Sequence, residues 1–182
     1  MNESATLIDS FLSFRLGEEL FAANVGKVLE ILELSRITKV PKSPSYMRGV
    51  INLRGNVLPV IDARVKFGIP TNEDTIDTCI IVLDIDMEGD SVKVGILVDA
   101  VQEVLQLDER SIQPPPNIGS RYRSEFIQGM GKVDNDFLMI LNIDKVFSSE
   151  EITIIQEKSP VEFSDDVKPK KATGTRTKQK NK

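Results

Sequence analysis

The chain has 182 residues, 40% of them hydrophobic and only 5% aromatic, enough for one sizeable domain or two small ones built on Val, Ile and Leu. It lacks histidine and has one cysteine, Cys79, which removes the commonest general base, the commonest metal ligand and any internal disulfide framework. Seven basic and no acidic residues fall between Lys168 and Lys182, while the other 16 of the 23 basic residues face all 28 acidic ones, a formal −12 against +7. An acidic body of this kind repels nucleic-acid phosphates. No apolar run reaches the roughly 18 residues of a membrane span. The polar start Met-Asn-Glu-Ser also lacks the basic and apolar blocks of a secretory signal, so a cytoplasmic protein is expected.

Residues 1–9 read as a flexible lead-in. Phe11, Leu12, Phe14 and Leu16 begin a strand that Gly17-Glu18-Glu19 turns into Leu20 to Ala23. Asn24 is placed to cap a brief turn through Lys27, and the branched run Val28 to Leu34 reads as extended. Pro41, Pro44 and Gly49 punctuate the way to a hairpin, Val50 to Ile61, whose turn is Arg54-Gly55-Asn56. Gly55 and Asn56 are the residues expected to take positive φ there, with Arg54 presented at the tip. Asp62 is placed to cap a helical turn over Ala63 to Phe67.

A polar connection, Gly68 to Asp77, is the best internal boundary. Thr78 to Ile85, Val92 to Val98 and Val101 to Leu107 follow as strands, before a loop at Pro114-Pro115-Pro116. Phe126 to Val133 and Phe137 to Ile143 form a last hairpin around Asp134-Asn135. Ser149 is expected to cap a final helix over about Glu150 to Lys158. The two halves repeat: Val28–Leu34 matches Val101–Leu107, and Gly49–Phe67 matches Gly129–Phe147, with Asp62 falling on Asn142. Two copies of one small all-β unit, each closed into a small barrel that hides its strand edges, is the economical reading. The expected lobes lie near 10–76 and 77–147, with strands free to cross between them. The folded region runs over 10–158, and 159–182 is expected to be a disordered basic tail.

Nothing in the pattern points to catalysis or to a cofactor. Cys79 lies in an apolar strand without a base to activate it. Asp84, Asp86, Glu88 and Asp90 have the wrong spacing for a calcium loop, and Asp62 and Asp99 each have a local capping or turn role. Neither a phosphate-cradling nor a dinucleotide-binding glycine pattern occurs. What stands out is a pair of charges in apolar settings, Glu30 and Arg54.

Asn52-Leu53-Arg54-Gly55 followed by Pro59-Val60-Ile61-Asp62-x-Arg64-x-x-Phe67 resembles the signature of the CheW family of bacterial chemotaxis coupling proteins. Glu18-Glu19, Val28-x-Glu30-Ile31, Val94-Gly95-Ile96-x-Val98-Asp99 and Asn142-Ile143-Asp144-Lys145 fit the same pattern in the same order, over about residues 10–155. The resemblance implies an all-β fold of two SH3-like five-stranded barrels packed through an apolar interface, with short helical turns and a C-terminal helix. It also implies an adaptor without enzymatic activity that bridges methyl-accepting chemotaxis proteins and the regulatory domain of the histidine kinase CheA. Such an adaptor meets membranes only through receptors, at receptor arrays. Carried over by position, Val28, Glu30, Arg54 and, less directly, Cys79 are the receptor-coupling residues. The competing expectation is a kinase-independent scaffold, or an adaptor for nucleic acid or anionic surfaces, working through the basic tail.

Overall fold

The computed structural model describes residues 7–115 and 125–159; most of the lead-in, Pro116 and the basic tail beyond Ser159 lie outside the described residues. Apolar runs cut by tight turns give ten strands among the described residues. They are β1 (Ile8–Leu16), β2 (Glu19–Asn24), β3 (Val28–Glu33), β4 (Met47–Leu53), β5 (Asn56–Asp62), β6 (Cys79–Met87), β7 (Asp90–Val98), β8 (Ala100–Asp108), β9 (Ile127–Val133) and β10 (Asp136–Leu141). Helices α1 (Ala63–Lys66) and α2 (Ile143–Val146) follow β5 and β10, and α3 (Ser149–Lys158) ends the described chain. No helix among the described residues is long and apolar enough to cross a membrane.

Two expected caps form. The Asn24 side chain accepts from the Gly26 N–H in a single 3-10 turn, and Asp62 accepts from the Arg64 N–H at the start of α1. Two details differ. In the central hairpin Arg54 itself takes positive φ (52°) beside Gly55 (85°), while Asn56 already pairs with Leu53 as the first residue of β5. A two-residue turn needs both central residues left-handed to match the strand twist, so the tip arginine, not the asparagine, carries the strained conformation. At α3 the cap is Ser148 rather than Ser149, because Glu151 three residues on completes a reciprocal capping box with it.

The strands form two five-stranded sheets, in the orders β3-β6-β7-β5-β4 and β8-β1-β2-β10-β9. These are the two SH3-like barrels, and their strand orders superpose the internal repeat: β1–β5 is one copy and β6–β10 the other. Each barrel takes the first hairpin of one copy and the last three strands of the other. Residue 77 therefore separates sequence repeats, not barrels, which corrects the expected lobes. Barrel 1 is β3–β7, and barrel 2 joins β1 and β2 to β8–β10. Both close alike, through isolated bridges Thr38–Val50 and Gln113–Met130. The preceding Gly49 and Gly129 admit that approach, since a Cβ at Gly49 would sit 2.2 Å from the Thr38 carbonyl oxygen and one at Gly129 2.4 Å from Ile112 Cγ2.

Alternation along each strand sends one face into its own barrel and the other into the space between barrels. Ile51, Leu58, Val60, Ile80, Val82 and Leu97 fill barrel 1, and Phe11, Leu20, Ala22, Leu138 and Ile140 fill barrel 2. The largest core lies between them. Phe14 and Phe21 of barrel 2 and Phe67 after α1 stack there with ring centroids 6.1 and 5.6 Å apart, and α3 caps that core with Ile152 and Ile155. Each such side chain removed from water is worth about 1.5–3 kcal/mol, so the apolar interface is a principal part of the fold.

Candidate functional site

Glu30 and Arg54 come together at the mouth of barrel 1. The Arg54 guanidinium donates from Nη1 to Glu30 Oε1 and from Nη2 to Oε2, both at 2.9 Å, a parallel two-bond fork. The turn that delivers it is braced by the Asn52 side chain, which accepts from the Gly55 N–H at 2.8 Å. Arg54 remains 74% open to water and Glu30 26%. The bond from Arg54 holds the Glu30 carboxyl below its usual range, partial burial opposing, and the same bond raises the arginine.

The pair forms one rim of a groove of about 920 Å³. Its floor is apolar, with Leu53, Val57, Leu58 and Val82, and Lys93 of β7 adds a second cation. The far wall is the C-terminal end of α3, through Gln156 and Ser159. Neither Val28 nor Cys79 lines this groove. A β-bulge between Val28 and Glu30 is the reason: Val28 pairs with Leu83 and packs toward the large core, whereas Glu30 pairs with Val82 and faces the barrel mouth. Cys79 sits on the large-core face of β6, opposite to Val82, and burial pushes its thiol above the usual range. A protonated, half-buried thiol is a poor nucleophile. Among the described residues no group of His, Cys, Asp and Glu is arranged to hold a metal.

The internal repeat shows why one barrel alone carries this fork. In barrel 2 the positions equivalent to Glu30 and Arg54 are Glu103 and Asp134, two carboxylates. Lys93, Gln156 and Ser159 escaped the sequence reading. Lys93 interrupts the apolar alternation of β7, which was the available signal, but the helix residues reach the groove only through the packing of α3.

That packing is anchored by Glu151, which both closes the capping box and pairs with Lys66 of α1. Lys66 lies within 5.2–5.4 Å of the Tyr46, Phe126 and Phe147 ring centroids. Burial raises the Glu151 carboxyl, but Lys66 and the Ser148 N–H outweigh it and hold it below its usual range. A depressed carboxyl stabilises the fold above the ordinary carboxylate pKa and loses that contribution as pH falls through the lowered value. Ser148→Ala should cost about 1 kcal/mol, a fall of about 2–4 °C in melting temperature for a chain of this size. In wild-type protein, hydrogen-exchange protection at Ile155 should fall on acidification before protection in β6 does.

A CheW-like domain model matches residues 10–151. The chain belongs to the CheW-like domain family. Among its relatives, Chemotaxis protein CheW of Rhizobium meliloti (strain 1021) is 38% identical over 140 residues, 77% of this chain and 88% of the relative. Chemotaxis protein CheW of Klebsiella aerogenes is 37% identical over 153 residues, 82% and 88% of the two chains. The crystal structure of scaffolding protein TtCheW from Thermoanaerobacter tengcongensis matches with a TM-score of 0.71 at 34% identity, covering 83% of this chain and 95% of that one. The family match takes in the Glu30–Arg54 fork and both barrels apart from the first residues of β1, and it ends in the first turn of α3.

Proposed function

We propose that this CheW-like chain is a non-catalytic chemotaxis adaptor that couples methyl-accepting chemoreceptors to the histidine kinase CheA on the cytoplasmic side of receptor arrays. The observation that carries the reading is the Arg54 fork, held at a hairpin tip over an apolar-floored groove yet mostly open to water. An exposed pair of this kind contributes little to stability. Its planar donors suit the glutamate and glutamine side chains of a receptor's helical tip, with the groove taking apolar side chains from one helix face. The kinase regulatory domain then docks on other surfaces, and the signal passes as a shift in the populations of the assembly's states.

The test is reconstitution with kinase and receptor fragments. This chain should raise kinase output while carrying no phosphoryl label and turning over no nucleotide by itself. Stoichiometric label on this chain, or unchanged kinase output, would overturn the proposal.

A further inference from the structure

The chain leaves its last described helix inside the wall of the groove. Gln156 and Ser159 both line it, and the exit is fixed: Ile152 and Ile155 are buried, Glu151 pairs with Lys66, and the Ser159 N–H donates to the Ile155 carbonyl at 3.0 Å. Ser159 has extended dihedrals (φ −78°, ψ 124°), and the proline that follows both ends the helix and favours extension in the residue before it. The next eight residues are Pro160-Val161-Glu162-Phe163-Ser164-Asp165-Asp166-Val167. They combine apolar residues two apart with three carboxylates and no cation. That chemistry complements the groove, whose floor is apolar and whose charged lining is Arg54 and Lys93 against Glu30 alone. Full extension allows Val161 to lie at most about 7 Å and Phe163 at most about 14 Å from Ser159, so the groove that Ser159 lines is within range of both.

We infer that residues 160–167 dock in the Glu30–Arg54 groove of the free protein, as an occupant tethered to the groove's own wall. The basic residues from Lys168 onward are not part of this contact, because the uncommitted charge of the groove has their sign. A short tether supplies an effective concentration in the millimolar range, so a weak intrinsic affinity suffices. Resting on the receptor assignment proposed above, the same contact makes the segment a competitor of the receptor. Apparent receptor affinity falls in proportion to the fraction of molecules with an open groove.

A nitroxide at Ser164→Cys in a full chain with Cys79→Ala tests the docking. Amides of Leu29, Arg54, Val57 and Lys93 should broaden, while those of Lys132 and Asp134 on barrel 2 keep their intensity; no broadening, or equal broadening on both barrels, overturns it. An unlabelled full chain gives a second check: Val161→Ser with Phe163→Ser should shift the same groove amides, and unchanged shifts overturn the docking. That double variant should also bind a receptor-tip fragment about 2- to 10-fold more tightly, the release of a groove that is mostly occupied. Confirmed docking with unchanged receptor affinity would leave the docking standing and remove the groove from the receptor site.

Discussion

Replacing Arg64 by methionine should destabilise this protein by about 3–5 kcal/mol, the usual cost of removing one partner from a buried charge cluster. Arg64 is only 1% exposed, and its guanidinium is committed on every side. Nε and Nη2 donate to the two oxygens of Asp62 at 3.0 and 2.9 Å, and Nη1 donates to Asp99 Oδ1 at 2.9 Å and to the Asn72 carbonyl at 3.0 Å. Asp74 approaches Nη2 at 3.6 Å. Asp99 in turn accepts the Gly17 N–H from the β1–β2 turn at 2.6 Å, so the arginine of barrel 1 holds a loop of barrel 2. Methionine fills much of the volume but takes the buried cation from Asp62, Asp74 and Asp99, of which Arg48 still reaches only the first two. Arg48, one-third exposed above the cluster, is the control: Arg48→Ala should cost less than about 1 kcal/mol, as a partly solvated pair. Urea unfolding of the two variants makes the comparison, and an Arg64→Met protein as stable as Arg48→Ala would contradict the assignment.

Arg54→Ala should do the opposite, leaving the melting temperature nearly unchanged and removing receptor coupling. The side chain is largely in water, and alanine keeps the Cβ that makes positive φ costly, so the strain of the turn is unchanged. Arginine anchors at interfaces commonly cost more than about 1 kcal/mol of binding when truncated, about fivefold or more in Kd. Arg54→Lys should not restore the binding, because an ammonium cannot make the two-bond contact. Affinity for the isolated kinase regulatory domain should stay within about twofold, as for a substitution remote from that contact. Loss of folding, or intact receptor control of kinase output, would assign the fork a structural role instead.

Much of the local architecture was legible because it depends on neighbours in sequence. Asp62 and Asn24 cap their turns through residues two positions on, and the final helix was displaced by one residue only because Ser148, not Ser149, has glutamate at the right spacing. Glu30 and Arg54 stood out as charges in apolar settings, and they meet as a two-bond pair. The opposed facing of Val28 and Glu30 was not legible, since a one-residue bulge reverses a face without changing the apolar alternation around it. Nor was the burial of Arg64, whose partners Asp74 and Asp99 lie 10 and 35 residues away. The assignment of hairpins to barrels was also hidden: β1 and β6 carry equivalent apolar faces, and only tertiary pairing decides which one meets β3 and which meets β8.

That exchange of hairpins has a consequence for how the molecule is born on the ribosome. Barrel 1 draws its five strands from one unbroken stretch and can close once β7 has emerged. The β1–β2 hairpin, made first, has no strand to pair with until β8 appears and no complete barrel until β10 does. Synthesis at about 5–20 residues per second leaves its apolar residues, Phe11, Phe14 and Phe21 among them, waiting for several seconds. Of the ten strands, the hairpin made earliest is thus among the last to be enclosed, and its apolar face stays open for longest.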